Sequence, residues 1–411
     1  MLGFTCSGSA ERNYPQIEPA EEKVLLRFID LYKTRGDLLE QLILDAKKKF
    51  QFSEESVRFW APKLVEGRFG PLEPLLSEDL EEIMVNGIDQ PIFVYDRKEG
   101  MLKTNLSVDS REYFVEIANR MLAPLGRRVN RANPREFGVL EFGDRVSIAI
   151  PPYSRESVIS IRKYMVEPFT VLDLVDREMI SREAMAFLWT IFESGNANIG
   201  VVGNTGSGKT TLLNALTRFI PKKSRMVLVE DIPEIRPLQE QIVSLLSNKD
   251  IKISMKDAII DSLRLRPDRV IIGEVRRNQE VEALREACLA GHSMGTYFTY
   301  HAESSKWARR RLMSQGFPEY DLSAVSLFVV CKRFEHKGKI FRKVVEIGGK
   351  NKVFEMKGGK LKRVGDFESE YWDISFDNPW KEVLRRKKFL KNLDRKNDKE
   401  VFERLGEFSG L

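Results

Sequence analysis

Apolar residues at intervals of three and four open the chain. Leu25, Phe28, Ile29, Leu31, Leu38, Leu39, Leu42 and Ile43 recur among charged positions and predict a helical N-terminal extension over residues 1–70. Between 71 and 168 the pattern mixes types: DLEEIMV and REYFVEIANRML predict helices, whereas PIFVYDR, MLKTNLS, DRVSIAI and SVISIRK predict strands. That mixture predicts a small α+β N-terminal domain, in which Gly143-Asp144 leads into the strand Arg145 to Ile150 and Pro151-Pro152 ends it. Residues 169–345 begin with helical spacing up to Gly195, then alternate short apolar runs with amphipathic stretches. This is the pattern of an α/β core, a parallel sheet covered by helices. Residues 346–411 hold a hairpin turning on Gly358-Gly359 and a basic helical segment, and read as an appendage.

Composition narrows the picture. At 411 residues with 42% hydrophobic content, the chain can bury two or three cores. No apolar run is long enough to span a bilayer, and the N-terminus lacks the basic-then-apolar order of a secretory signal, so the expected location is cytoplasmic, at most peripheral to a membrane. Cys6, Cys288 and Cys331 are odd in number and scattered, which excludes a disulfide framework and a zinc site. The net charge is +6, with much of the excess in KEVLRRKKFLKNLDRK near the C-terminus. Such a helix can bind nucleic acid or anionic lipid, but interleaved acidic residues from Glu382 to Glu403 favour a solvated, ion-paired face.

The chemistry concentrates in GNTGSGKT, residues Gly203, Asn204, Thr205, Gly206, Ser207, Gly208, Lys209 and Thr210, which fits GxxxxGK(S/T) between an apolar strand and a helix. The glycines allow backbone N–H groups to turn inward around a phosphate, Lys209 supplies charge for the β- and γ-phosphates, and Thr210 offers a hydroxyl to Mg²⁺. Thr211 continues into the helix, whose N-terminus adds partial positive charge. Downstream, RMVLVEDIPEI sets Glu230, Asp231 and Glu234 at a strand's C-terminal end, where open α/β sheets bind ligands and where a carboxylate can orient the attacking water. In RLRPDRVIIGEVR a helix opened by Ser254 stops at Pro267, and Glu274 ends the following strand, suited to holding magnesium through water. The next helix carries Val281, Leu284, Cys288 and Leu289 on one stripe, which marks Cys288 as core. Beyond it, GHSMGTYFTYHAES brings His292 and His301, two of the chain's three histidines.

In order, GNTGSGKT, VEDIPEI, RPDRVIIGEVR and AGHSMGTYFTYHAES resemble the Walker A, Asp-box, Walker B and His-box segments of the secretion and type IV pilus assembly ATPases. LEEIMVNG, GDRVSIAIPP and ISIRK resemble the N-terminal domain of the same superfamily. The scattered cysteines place the likeness nearer its archaeal pilus, archaellum and conjugation-type branch.

The resemblance implies a RecA-like P-loop core, usually in a six-membered ring, with ATP and Mg²⁺ as ligands. It further implies Glu230 as catalytic carboxylate and Glu274 in the Walker B role. Lys209 and Thr210 would serve the phosphates and metal, and His292 and His301 would sense ligand state. Arg145 and Arg162 would reach nucleotide phosphates across the interdomain cleft. Two departures accompany it: the histidines lie two residues further apart than the pattern implies, and Arg277 stands where relatives often carry an acid.

The expected function is a hexameric Mg-ATP hydrolase that moves a polytopic membrane platform protein of a pilus or secretion system. A nucleic-acid-translocating motor and a non-catalytic nucleotide-binding scaffold are the alternatives.

Overall fold

The computed structural model describes residues 11–14 and 69–409, apart from 77, 79, 97–98, 141–142, 164–167, 196, 249–250, 292–293, 337–338, 368–377 and 394–396. The helical extension expected over 1–70 thus lies almost wholly outside the described residues. The chain divides into two compact units, Met1–Met165 and Val166–Leu411.

In the first unit, strands β1 (Glu11–Arg12), β2 (Leu80–Val85), β3 (Pro91–Asp96) and β4 (Gly100–Ser107) are followed by helix α1 (Arg111–Leu122) and by β5 (Arg135–Val139), β6 (Arg145–Ala149) and β7 (Val158–Arg162). They form one seven-stranded sheet in the order β1-β4-β3-β2-β7-β6-β5. The Ser110 hydroxyl caps α1 by accepting from the Tyr113 N–H at 3.2 Å, and Phe114, Ile117, Ala118 and Met121 carry its buried stripe into the core. DLEEIMV corrects the sequence expectation, because it forms strand β2 rather than a helix. Ile83 and Val85 are buried two positions apart, a register shift at Leu80/Glu82 absorbs the irregular start, and both edges are paired, to β3 and β7. Tertiary pairing overrides a seven-residue helical pattern.

The second unit opens with α2 (Val171–Asp176) and α3 (Arg182–Ser194). It continues through β8 (Ile199–Gly203), α4 (Lys209–Leu216), β9 (Arg225–Glu230), β10 (Gln241–Leu246), α5 (Met255–Leu263), β11 (Arg269–Val275), α6 (Asn278–Leu289), β12 (Gly295–Tyr300) and α7 (Ser305–Ser314). Strands β13 (Leu327–His336), β14 (Lys339–Gly348), β15 (Lys352–Lys357) and β16 (Lys360–Arg363) follow, then helices α8 (Pro379–Asn392) and α9 (Asp398–Ser409). The nine-stranded sheet runs β10-β9-β11-β12-β8-β13-β14-β15-β16, parallel from β10 to β13 and antiparallel beyond.

Two apolar cores cover its faces. β8 sends Ile199 and Val201 into the core shared with α3 and α4, and Val202 into the core shared with α5 and α6, which is why the strand reads as a continuous apolar run. Asn198 pins its start: the side chain accepts from the Thr296 N–H (2.8 Å) and donates to the Cys288 and Ala324 carbonyls (3.1 and 2.9 Å). On α6, Val281 and Leu284 are buried as the stripe predicts. Leu289 is instead 46% exposed, because Ala283 and Ala287 complete the buried face.

The C-terminal segment also departs from its reading as an appendage. The expected boundary at 345/346 falls inside β14, the Gly358-Gly359 hairpin extends the main sheet, and α8 packs on α3. Arg386 of the basic helix is 1% exposed rather than solvated. Its guanidinium donates to both carboxylate oxygens of Glu193 (2.7 and 2.8 Å) and to Glu382 (2.9 Å), while Glu193 also accepts from the Trp189 indole (2.7 Å) and the Ser409 hydroxyl (2.6 Å).

Breaking one side of this buried pair leaves the other charge desolvated, so Glu193→Leu is expected to cost the unit about 3–5 kcal/mol, read as a lower urea midpoint. The double change Glu193→Leu with Arg386→Met should recover much of that loss. A double variant as weak as the single one would contradict this account.

Candidate nucleotide site

Gly203 closes β8 against β13, and a methyl group there would lie 2.3 Å from the Cys331 carbonyl oxygen and 2.5 Å from Ser207 Oγ. Gly206 and Gly208 take φ of +70° and +88°, which lets the loop curl back before α4 begins at Lys209. Lys209 is 8% exposed, and its ammonium donates to the Asn204 carbonyl at 3.1 Å. Among the described residues it makes no salt bridge. Burial therefore pushes the Lys209 pKa below the ordinary lysine value, opposed by the charge of Glu274. Ser207 Oγ is buried in the same loop with no hydrogen-bond partner among the described residues. Thr210 and Thr211 lie half-buried in the first turn of α4, and Asn204 and Thr205 are exposed at the loop's outer turn.

Three neighbouring strand ends bring acid and histidine to the loop. Glu274 near the end of β11 contacts His301, just past β12, through one carboxylate oxygen, and Arg276 through the other. Arg276 in turn faces Asp231 at 3.6 Å. Burial alone would raise the Glu274 carboxyl; Arg276, His301 and Lys209 outweigh it and hold it below the ordinary glutamate range. His301 is lowered, first by burial and then by Lys209, against the pull of Glu274. The donors Thr210 and Glu274, a hydroxyl and a carboxylate, are hard oxygen ligands of the kind that suit Mg²⁺.

Glu230 ends β9 at 2% exposure, and its Oε1 accepts from the Glu234 and Ile235 N–H groups at 2.9 and 3.1 Å. Gly273 makes room for it, since a methyl there would fall 2.9 Å from Glu230 Cγ. The Gly-Glu pair of β11 thus packs one acid against its glycine and presents the next toward the loop. His292 lies outside the described residues. Arg145 and Arg162 are direct cross-strand partners in the first unit, on β6 and β7.

Two arginines escaped the sequence reading. Arg342 of β14 donates from Nε to the Gly206 carbonyl at 2.9 Å, and Arg333 of β13 reaches Gly206 from the opposite strand. The signal was present in KRFEHKGKIFRK, where basic residues mirror each other about a turn, but only the pairing register aims them at the loop.

A glycine-rich loop joining a central parallel strand to a helix, with acids at the neighbouring strand ends, is the arrangement of a RecA-like P-loop fold. The sequence profile of the family described as Type II/IV secretion system protein matches residues 66–343, and the chain belongs to that family of secretion ATPases. An uncharacterized protein of Methanocaldococcus jannaschii is 36% identical over 244 residues, 56% of this chain and 33% of the relative, so the chain spans about a third of that relative's length. The type IV secretion system protein VirB11 of Bartonella henselae is 26% identical over 324 residues, 66% of this chain and 90% of that protein. The structure of the Legionella pneumophila ATPase DotB superposes with a TM-score of 0.51 at 18% identity, over 78% of this chain and 86% of that one, a likeness of fold.

Because folding lowers the His301 pKa, the neutral ring is the favoured form. Its contribution to stability is complete above the ordinary histidine value and is lost as pH falls through the lowered one. By NMR, His301 should titrate below the ordinary histidine range, lower still in Glu274→Gln, and higher in Lys209→Met. A midpoint that rises in Glu274→Gln would contradict the arrangement.

Proposed function

We propose that the chain is a Mg-ATP hydrolase, working as a homo-hexamer at the cytoplasmic face of the membrane. There it powers a type IV pilus-like, archaellum-like or type II/IV secretion machine through a polytopic membrane platform protein. The observation that carries the catalytic part is Lys209: a buried ammonium held by a carbonyl and lacking a salt bridge among the described residues, inside a loop of inward-curling glycines. A polyphosphate adds a directly paired countercharge to the longer-range one of Glu274. Family membership supports the coupling to secretion, and no helix among the described residues is long and apolar enough to cross a membrane.

In this reading the backbone from Gly203 to Thr211 cradles the phosphates and Lys209 neutralises them. Thr210 directly and Glu274 through water would hold Mg²⁺, which would supply Lewis-acid screening of phosphate charge. His301 and Arg276 keep Glu274 ionised and aimed at the loop. Glu230 orients the attacking water while its Oε1 fixes the turn at Glu234. Arg145 and Arg162, cross-strand partners on β6 and β7, gather two cations within the first unit.

One observation favours nucleic-acid translocation as a second reading. Helix α7 exposes Lys306, Trp307, Arg310 and Arg311, and none of its three exposed cations named here has a salt bridge among the described residues. Steeply salt-dependent binding of single-stranded DNA, with DNA-stimulated turnover, would carry that reading.

For the leading one, Lys209→Ala and Glu230→Gln should each lower kcat for ATP by about 10²-fold or more in purified protein. Glutamine still accepts the two backbone N–H groups, so the second variant separates charge from loop support. Turnover that survives both changes would overturn the proposal.

A further inference from the structure

Strand β13 runs beside β8 as far as the Cys331–Gly203 pair, so its next residues rise alongside the phosphate loop. Arg333 follows two positions on, and the register with β14 sets it directly opposite Arg342. Like charges facing each other across an antiparallel pair destabilise it unless something negative lies between or beside them.

Arg342 is accounted for, since its Nε is bonded to the Gly206 carbonyl and its Cδ passes 3.6 Å from where a methyl on Gly208 would sit. On the adjoining position of the hairpin, Lys343 is matched by Glu178 at 3.2 Å. Arg333 is different. Its Nη1 comes within 3.4 Å of a methyl position on Gly206, yet it forms no hydrogen bond or salt bridge among the described residues. Arg333, Arg342 and the buried Lys209 thus converge on one glycine loop.

We propose that Arg333 binds nucleotide, adding a second cation beside Lys209 to the phosphate chain of a nucleoside di- or triphosphate. The proposal rests on the reading of the Gly203–Thr210 loop as the nucleotide site and adds a contact from the β13–β14 hairpin. Lys209 is buried at the loop's base and Arg333 is exposed at its rim, and two cations gathered at one loop suit the multiple charge of a polyphosphate. A guanidinium at that rim gives a charge-assisted hydrogen bond to a phosphate oxygen. Its exposed stem leaves the ligand-free fold independent of it.

The test is calorimetric titration of ATP, ADP and inorganic phosphate into the full chain, comparing wild type with Arg333→Gln, Lys343→Gln and Lys209→Ala. Arg333→Gln is expected to weaken ATP and ADP by about tenfold, to flatten the salt dependence, and to leave the ligand-free Tm unchanged or slightly raised. Inorganic phosphate, which carries less charge and which Lys209 alone can hold, should bind the wild type and Arg333→Gln alike. Lys343→Gln should stay within about twofold of wild type, since its charge is matched by Glu178.

The inference is overturned if Arg333→Gln binds ATP as wild type does while Lys209→Ala loses it. It is also overturned if Lys343→Gln weakens binding as much as Arg333→Gln, which would reduce the effect to a general field. A wild-type chain that binds no ATP while remaining folded would instead bring down the reading of the loop, and this inference with it.

Discussion

A lysine ammonium held out of water is the constraint on which the second unit turns. Lys209 sits at the first position of α4, at 8% exposure, with its ammonium donating to a carbonyl of its own loop. Holding a charge there is unfavourable in isolation, and the surroundings divide the cost. Glu274 supplies opposite charge from a strand two places away in the sheet, and β12, between them, contributes His301 to the same carboxylate. Gly203 approaches β13 too closely for a side chain, and the left-handed turns at Gly206 and Gly208 curl the loop back before α4.

The rest of the unit holds these strand ends in register. Asn198 ties the start of β8 to β12 and to the ends of the flanking connections, so the loop is anchored from its base. Away from the loop, Glu193 gathers Arg386, Trp189 and Ser409, closing α8 and α9 over α3. Cys331 shows how closely the loop is backed by the sheet: burial pushes its thiol up to about 12, with Lys209 pulling the other way. That thiol is a packed core group rather than a nucleophile.

Sequence made the loop, its strand and its helix legible because phosphate binding imposes residue types at fixed spacing within eight positions. Glu230 and Glu274 were readable as acids at strand ends for the same reason. Their contacts were not: that Glu230 turns inward beside Gly273 to hold the backbone at Glu234, while Glu274 meets His301 and Arg276, depends on side-chain packing. The β2 segment misled because a bulge breaks the strict alternation that marks a strand. The C-terminal segment misled because its charge pattern looks solvated, and only the fold brings Glu193 to Arg386 across 193 positions of sequence. Arg333 and Arg342 were hidden for a similar reason, since local sequence does not reveal which side of a hairpin faces a loop more than a hundred residues earlier.

The central claim is that Lys209 is a desolvated cation kept for a phosphate ligand. Thermal unfolding of wild type and Lys209→Met, with and without Mg-ATP, tests it most directly. Removing a desolvated charge should leave the ligand-free Tm of Lys209→Met equal to or above that of wild type. ATP should raise the wild-type Tm in proportion to the logarithm of its concentration and leave the variant unmoved. A variant that is less stable without ligand yet keeps the full ATP-dependent rise would show that Lys209 supports the fold rather than the nucleotide, and would contradict the account.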